Sequence, residues 1–279
     1  MEDISATARN YMRAWELSDP VFLARTETGH LQRVTCRDGR FAVLKCLTEA
    51  GCRYEGSAAR VLRALGGAGA VQVLRADDSA QLLEFCDGPK LLDFENGHRD
   101  AVALPILADV VRRLRSKGKF RPAGVPSLAD RCRAIDRALS MTRGKDASLL
   151  DAARKLADIH LVNQRPTLLH GDLHHENIMR CSRPDGETWL AIDPQGLWGD
   201  PAYEVANFFG NPRDFPEITL AKDRPMQVAL SLEKLLGLPA KTTLAWAFVH
   251  SCISAVWSLE DGQDPTYRLR VAGLIEQAL

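Results

Sequence analysis

The segment from His170 to Asn177, with Asp193 sixteen residues further on, carries the side chains best suited to chemistry in this chain. Asp172 and Asn177 stand in the run His-Gly-Asp-Leu-His-His-Glu-Asn, which is typical of a tight loop. A carboxylate there can accept the proton of an attacking hydroxyl group. An amide oxygen and a second carboxylate can hold the magnesium ions that neutralise phosphates. The pattern predicts phosphoryl transfer, with Asp172 as the base and Asn177 and Asp193 as metal ligands.

The upstream sequence supplies further parts of a kinase-like site in the expected order. The His-x-Asp start and the Asp-to-Asn spacing match the loop H-R-D-x-x-x-x-N, with Gly171 in place of the arginine. Residues 41–45 (Phe-Ala-Val-Leu-Lys) predict a strand that ends in a lysine able to pair with the α- and β-phosphates. Lys45 needs a carboxylate partner. Glu55 is our prediction, because it opens a helical pattern, and Glu49 is the alternative.

Two other segments are predicted to contact the nucleotide. Residues 81–85 form a strand pattern that runs into Cys86, where the chain would cross between two lobes. We expect backbone groups near Glu84 and Cys86 to bind the adenine there. A full G-x-G-x-x-G motif is missing, so residues 26–31 are the only candidate for a loop that covers the phosphates. They contain a single glycine, Gly29.

The ordered set of motifs resembles the aminoglycoside phosphotransferase family. The branch of streptomycin 6-phosphotransferases and hydroxyurea-resistance kinases is the most similar, through residues 169–179 (Leu-His-Gly-Asp-Leu-His-His-Glu-Asn-Ile-Met) and 192–197 (Ile-Asp-Pro-Gln-Gly-Leu). Residues 254–257 (Ser-Ala-Val-Trp) match it more loosely, and residues 199–207 look more like the broader family. The resemblance spans essentially the whole chain and is strong over residues 168–210.

The resemblance implies an α+β, two-lobed protein-kinase-like fold. Residues 1–86 would form a nucleotide-binding lobe with a small antiparallel sheet and one helix. Residues 87–279 would form a larger, mainly helical lobe for catalysis and acceptor binding. The implied cofactors are ATP, with GTP as a possibility, and Mg²⁺. The implied reaction is phosphorylation of a hydroxyl group on an aminoglycoside-type antibiotic, with a streptomycin-like acceptor as the first candidate.

The composition is that of an ordinary globular protein with no bias toward polyanionic partners. Lys+Arg and Asp+Glu both number 36 in 279 residues, so no net charge favours nucleic acid or an anionic membrane. The seven cysteines are odd in number and lack C-x-x-C spacing, which indicates reduced thiols and a cytoplasmic location. No signal peptide is expected, and the apolar residues 244–257 predict a buried core helix rather than a membrane span. The sequence does not specify the oligomeric state.

The order of elements supports the two-lobed reading. A short leading helix precedes a strand-rich region, in which residues 37–40 (Arg-Asp-Gly-Arg) predict a hairpin turn. After residue 88, helical patterns dominate, with short strands near residues 167–169, 178–180 and 189–192. The predicted helices cover roughly residues 99–117, 127–141, 146–163, 225–237, 241–259 and 265–278.

Less specific interpretations compete with this reading. His170, His174 and His175 near carboxylates could indicate zinc, but H-E-x-x-H is absent and glycine nearby favours a loop. We expect His170 to be structural and the other two to lie in the loop or at the substrate edge. Taken alone, Lys45 would more often be a surface lysine.

The acceptor is predicted to be a small, hydroxylated and cationic molecule held by carboxylates of the C-terminal part. The candidates are Asp200, Glu204, Glu260 and Asp261, although each could equally belong to a solvated face or a helix cap. A kinase for hydroxyurea or a metabolite is the alternative function. A non-catalytic nucleotide-binding module is the alternative of another class.

Overall fold

A five-stranded antiparallel sheet with strand order β1-β2-β3-β5-β4 forms the first part of the fold. The structure is a computed structural model that describes residues 6–54, 56–140, 144–162 and 164–279. The elements of this part are α1 (Ala6–Ala14), β1 (Ser18–Arg25), β2 (Gly29–Thr35), β3 (Phe41–Leu47), α2 (Glu49–Tyr54), α3 (Ala58–Leu65), β4 (Val73–Ala76) and β5 (Ala80–Glu84).

The alternation of side chains along β3 divides its residues between the two faces of this sheet. Ala42 and Leu44 are fully buried in a small apolar cluster that also includes Ala8 of α1. Lys45 points to the other face, where it pairs in register with Leu31 of β2 and Gln81 of β5. The sheet therefore presents a buried lysine on the face away from α1. The predicted strand over residues 41–45 is present, but it continues to Leu47 instead of ending at the lysine.

Helices make up most of the second part of the fold, as predicted. They are α4 (Asp100–Lys117), α5 (Leu128–Leu139), α6 (Lys145–Val162), α7 (Pro216–Thr219), α8 (Arg224–Leu236), α9 (Ala240–Glu260) and α10 (Thr266–Ala278). The short strands are β6 (Thr167–Leu169), β7 (Ile178–Arg183), β8 (Gly186–Ala191) and β9 (Leu197–Gly199). Strands β6 and β9 pair with each other, and β7 pairs with β8. The 3₁₀ helices are His175–Asn177 and Pro201–Gly210.

Helix α9 lies at the centre of the helical part. By length and composition it is the one described helix that could cross a membrane, but 78% of its most apolar window is buried inside the fold. Its side chains enter the larger core cluster, which also takes in Leu62 and Leu65 of α3. The apolar run at residues 244–257 is therefore core, as the sequence predicts.

Three features differ from the expected elements. The helical pattern predicted to open at residues 54–55 corresponds to α3, and α2, which ends at Tyr54, was not predicted, so the strand-rich part has more than one helix. Strand β9 and the 3₁₀ helix Pro201–Gly210 were not predicted. Strand β9 is only three residues long, and residues 202–210 of the 3₁₀ helix are all buried, so neither segment shows a helical or an alternating period.

A buried arginine ties α8 to α4. The Arg224 Nε and Nη2 atoms donate to the two carboxylate oxygens of Asp100, at 2.8 and 2.9 Å. Nη1 donates to the carbonyl oxygen of Phe209 at 2.7 Å, and Nη2 also donates to that of Asn211 at 3.0 Å. With only 4% of Arg224 exposed, these acceptors would stay desolvated if the guanidinium were lost.

We expect Arg224→Met to lower the free energy of unfolding by about 3–5 kcal/mol, because it leaves a half-buried carboxylate without its cation. Urea unfolding monitored by circular dichroism measures this loss. The control is Arg37→Met, which breaks an exposed ion pair with Glu16 and should cost no more than about 1 kcal/mol. Equal losses in the two variants would contradict this assignment.

A second stability prediction concerns His250, a buried residue of α9. Its Nδ1 lies 2.8 Å from the Tyr203 hydroxyl and its Nε2 lies 3.2 Å from the Ser254 hydroxyl. Burial lowers the pKa of His250 well below its ordinary value of 6.5. Below pH 6.5, His250 therefore binds a proton in the unfolded chain but not in the folded chain. Its contribution to the free energy of unfolding is fully present above that pH and falls as the pH drops.

This residue should contribute about 1.4 kcal/mol per pH unit to the acid loss of stability below pH 6.5. His250→Gln removes the titrating group and keeps hydrogen-bonding capacity. Urea unfolding from pH 7 to pH 5 should show a shallower loss in the variant than in the unmodified chain. Parallel pH profiles would mean that His250 is protonated in the fold.

Candidate active site

The loop predicted to carry the base is held by a buried carboxylate. The backbone N–H groups of His170 and Gly171 donate to Glu204 Oε2 and Oε1, at 2.8 and 3.1 Å. Glu204 is 2% exposed, and burial raises its pKa to about 7 against the lowering effect of the two N–H groups. This corrects the prediction that Glu204 faces the acceptor, because both of its oxygens are used beneath the loop.

His170 has the structural position that the sequence predicts. Its Nε2 lies 2.8 Å from the carbonyl oxygen of Ile192, and its Nδ1 accepts from the backbone N–H of Asp172 at 3.3 Å. This pairing fits a neutral ring with its proton on Nε2, and burial lowers the pKa of His170 to about 4. The ring thus links the loop to the segment that carries Asp193.

Two amide side chains orient the carboxylate of Asp172. Asn207 Nδ2 donates to Asp172 Oδ1 at 2.7 Å, and Asn177 Nδ2 donates to Oδ2 at 3.2 Å. Asn177 Nδ2 also donates to the backbone carbonyl of Asp172 at 2.9 Å. Since its nitrogen is used here, the side-chain oxygen of Asn177 is left for a metal ion. The part played by Asn207 was not predicted.

Lys45 and Asp193 meet across the cleft between the sheet and the helical part. Lys45 Nζ lies 2.8 Å from Asp193 Oδ1, and Lys45 is only 2% exposed. The backbone N–H of Ile192 donates to the Asn177 carbonyl at 2.9 Å, which places Asp193 beside Asn177. Asp193 has a φ of +54°, a conformation that costs energy for a residue with a Cβ and is common at functional sites.

The donor set at this place suits magnesium. The Asn177 amide oxygen and the Asp193 carboxylate are hard oxygen ligands of the kind that Mg²⁺ takes in kinases. Among the residues that the structure describes, no three His, Cys, Asp or Glu side chains converge as a metal site. The zinc alternative therefore has no ligand set in the described part of the chain. His175 is also buried and stacks on Phe208, with ring centroids 4.5 Å apart, instead of lying at a substrate edge.

An arginine that the sequence did not single out contacts Gly171, the position at which the kinase-loop pattern has its arginine. Arg131, on α5, donates to the Gly171 carbonyl oxygen at 2.7 Å and to Gln195 Oε1 at 2.9 Å. Gly171 has a φ of +81°, which glycine adopts without strain. A cation from a distant helix thus connects the base loop to the segment after Asp193. No local sequence signal marks Arg131, because its partners lie 40 and 64 residues away.

The predicted nucleotide-contacting residues lie at the start of β2 and at the end of β5. A Cβ on Gly29 would lie 3.2 Å from Lys45 Cε, so the predicted covering loop packs directly on the lysine. Glu84 uses its carboxylate for a two-point contact with Arg183 of β7, with both distances 2.7 Å. Cys86 is buried beside Cys181 at the crossing to the helical part. Adenine binding by the backbone near Glu84 and Cys86 stays a prediction.

Pairing of Lys45 with a glutamate, in addition to its contact with Asp193, stays a prediction. Glu55, our first choice, lies outside the described residues. Glu49, the alternative, is the first residue of α2.

The three other predicted acceptor ligands lie at helix ends. Asp200 Oδ1 accepts the backbone N–H of Ala202 at 2.8 Å and so caps the 3₁₀ helix. Glu260 forms an ion pair with Arg137, with Nη2 and Oε1 3.0 Å apart. Asp261 is exposed at the end of α9. Asp200 and Glu260 already have partners within the protein. The structure therefore does not show the predicted group of unpaired carboxylates that would bind a cationic acceptor.

The family model for aminoglycoside/hydroxyurea antibiotic resistance kinases matches residues 14–262. The chain belongs to this family. It is 31% identical over 271 residues to a streptomycin 6-kinase of Streptomyces glaucescens, covering 93% of this chain and 84% of that protein. It is 27% identical over 273 residues to a hydroxyurea phosphotransferase of Kitasatospora aureofaciens, covering 94% and 75%. The resemblance drawn from residues 168–210 is confirmed, and the chain is a phosphotransferase with an alcohol group as acceptor.

Solved kinase structures share the fold. A thermostable mutant of the aminoglycoside phosphotransferase APH(4)-Ia, in a ternary complex with AMP-PNP and hygromycin B, aligns with a TM-score of 0.71 at 20% identity and covers 98% of this chain and 99% of that one. Choline kinase LicA from Streptococcus pneumoniae aligns with a TM-score of 0.66 at 14% identity, covering 97% and 98%. The protein-kinase-like fold predicted for this family member is therefore confirmed.

The contacts of Asp172 lead to a graded prediction. Asp172→Ala should lower kcat by roughly a hundredfold or more, because it removes the base. Asn207→Ala keeps the base but removes one charge-assisted hydrogen bond, so kcat should fall by about 10- to 100-fold with little change in the nucleotide KM. Steady-state ADP release measures both parameters. Full activity of a folded Asp172→Ala protein would refute the assignment of the base.

Proposed function

We propose that this family member uses ATP and Mg²⁺ to phosphorylate a hydroxyl group of a streptomycin-like aminoglycoside. The observation that carries the proposal is the convergence of Lys45, Asp172, Asn177 and Asp193 in one cleft. The relatives named for streptomycin kinase activity support the acceptor class. Residues 1–86 would form the nucleotide lobe and residues 87–279 the catalytic lobe, in a cytoplasmic enzyme.

Each of these residues has a defined task in the proposed reaction. Asp172, oriented by Asn207 and Asn177, accepts the proton of the acceptor hydroxyl as the hydroxyl oxygen attacks the γ-phosphorus. The bond from the γ-phosphorus to the oxygen that bridges it to the β-phosphate breaks, and ADP leaves. Lys45 holds the α- and β-phosphates of the nucleotide in place from the sheet side of the cleft. Asn177 and Asp193 would hold Mg²⁺, which neutralises charge on the phosphates. Protein groups thereby align the attacking and leaving oxygens, and such positioning supplies most of the rate enhancement in phosphoryl transfer.

A hydroxyurea kinase is the second candidate function. The family includes a hydroxyurea phosphotransferase that matches 94% of this chain. The buried position of Glu204 also favours a less cationic acceptor, because both of its oxygens accept backbone N–H groups and are not open to bind guanidinium groups. Nucleotide selection between ATP and GTP rests on backbone groups near Cys86 in this proposal. A non-catalytic module is disfavoured, since the base, the lysine and both metal ligands are all present.

A coupled ADP-release screen tests the proposal. The purified chain is given ATP or GTP with streptomycin, other aminoglycosides, hydroxyurea and ethanolamine, each with Mg²⁺ and with EDTA. We expect acceptor-dependent ADP release that EDTA abolishes and that Mg²⁺ or Mn²⁺ restores, because the ligands are hard oxygens. The Asp172→Ala protein is the matched control.

Growth of a sensitive bacterium that expresses the chain gives a second readout of the acceptor. Protection against streptomycin supports the first candidate function, and protection against hydroxyurea supports the second. Activity that survives EDTA, or no release with any acceptor in the screen, would refute the proposed reaction.

A further inference from the structure

Arg268 lies next to the part of the fold that orients Asp172. It belongs to the first turn of α10, and its Nη1 atom is 2.7 Å from the position that a Cβ of Gly210 would occupy. Gly210 ends the 3₁₀ helix whose Asn207 donates to Asp172 Oδ1. The guanidinium is therefore packed on the same short helix that holds the base.

The side chain of Arg268 is partly buried, and its guanidinium has no carboxylate partner among the residues that the structure describes. Burial lowers the pKa of Arg268, and the nearby Asp172 carboxylate opposes that shift. To any residue that the structure describes, Arg268 makes no ion pair and donates no hydrogen bond; its one ring contact is with Tyr267, whose centroid lies 5.8 Å from Cζ. Two other arginines with little exposed side chain do have carboxylate partners. Arg183 and Arg224 each form a two-point contact with a carboxylate.

The charged and titratable groups around Arg268 do not neutralise it. Asp172 is the one carboxylate whose field acts on it, and that carboxylate already accepts from two amides. Arg213 adds a second positive charge on the Tyr267 ring, at 5.6 Å from its centroid. Burial lowers the pKa of both His174 and His250, and the positive charge of Arg268 adds a smaller lowering effect. The surroundings of the base therefore carry an uncompensated cation.

We propose that Arg268 is a specificity-determining residue that binds a carbonyl or carboxylate oxygen of the acceptor, next to the hydroxyl group held by Asp172. The inference rests on the proposed phosphotransferase function and narrows its substrate class. A partly buried guanidinium without a carboxylate partner gains charge-assisted hydrogen bonds when an oxygen acceptor binds, and its planar fork suits two parallel hydrogen bonds. An ammonium or guanidinium group at the same place is repelled, so Arg268 disfavours the binding orientation that brings a cationic group of the acceptor next to it.

Direct binding to Arg268 can be measured without turnover. The full chain is labelled with ¹⁵N-arginine, and the Arg268 Nε–H signal is identified by its loss in Arg268→Met. The probes share one hydroxyl and differ in the second group: glycolamide has a carbonyl, glycolate a carboxylate and ethanolamine an ammonium. We expect saturable shifts of the Arg268 signal with glycolamide or glycolate, and none with ethanolamine at the same concentration.

Kinetics with the best acceptor of the ADP-release screen form the second arm. Arg268→Met should raise the acceptor KM by roughly tenfold or more and leave the nucleotide KM unchanged, since a charge-assisted hydrogen bond is lost on the acceptor side only. Arg268→Lys should recover part of the loss, because a lysine keeps the charge without the fork. The control is Arg213→Met, which removes an exposed charge from the same aromatic ring and should behave like the unmodified chain.

The outcomes separate this inference from the proposed function. Equal shifts with ethanolamine, no shift with any probe, or equal acceptor KM values in Arg268→Met and Arg213→Met would each overturn the role of Arg268. Selective shifts in a chain that releases no ADP with any acceptor would support the role of Arg268 and refute the proposed reaction instead. A difference between glycolamide and glycolate shows whether the bound oxygen is neutral or charged.

Discussion

The geometry of the active site depends on one buried carboxylate. The loop around Asp172 turns away from β6, so the N–H groups of His170 and Gly171 need acceptors that no strand supplies. Glu204 provides both oxygens from below, at 2.8 and 3.1 Å. Asn207 stands three residues later, where a 3₁₀ helix places side chains on one face, and it donates to the Asp172 carboxylate. The same 3₁₀ helix therefore fixes the position of the loop and the orientation of the Asp172 carboxylate, the predicted base.

The sequence predicts the parts of the site whose roles follow from order along the chain. Asp172, Asn177 and Asp193 are recognisable because a tight loop and a following segment must bring three oxygen ligands together at fixed spacing. Lys45 is recognisable because a strand that ends in lysine precedes that set. The structure joins them through the Lys45–Asp193 ion pair and the contact between Ile192 and Asn177. The fold class follows from the same order of strands and helices.

The parts that the sequence does not predict depend on long-range packing. Arg131 reaches the loop from α5, and in the sequence it is one charged residue among many on an amphipathic helix. Glu204 looks like an acidic surface residue until the fold shows that it is buried. Asn207 lies in a segment without helical or strand periodicity. In each case the side chain is defined by a partner more than 30 residues away, which no local pattern records.

The two cations near the base differ in how their charge is compensated, and this difference bears on the acceptor. Lys45 is paired with Asp193, so its positive charge is already compensated before the phosphates of a nucleotide bind. Arg268 is not paired with any described carboxylate, so the surroundings of Asp172 retain positive potential. At a partly buried position such a charge acts more strongly than it would in bulk water. If Arg268 acts as proposed, a cationic antibiotic must bind with an oxygen-bearing edge toward Asp172 and with its ammonium or guanidinium groups away from Arg268. A small neutral acceptor with a carbonyl beside its hydroxyl has no cationic group to keep away from Arg268.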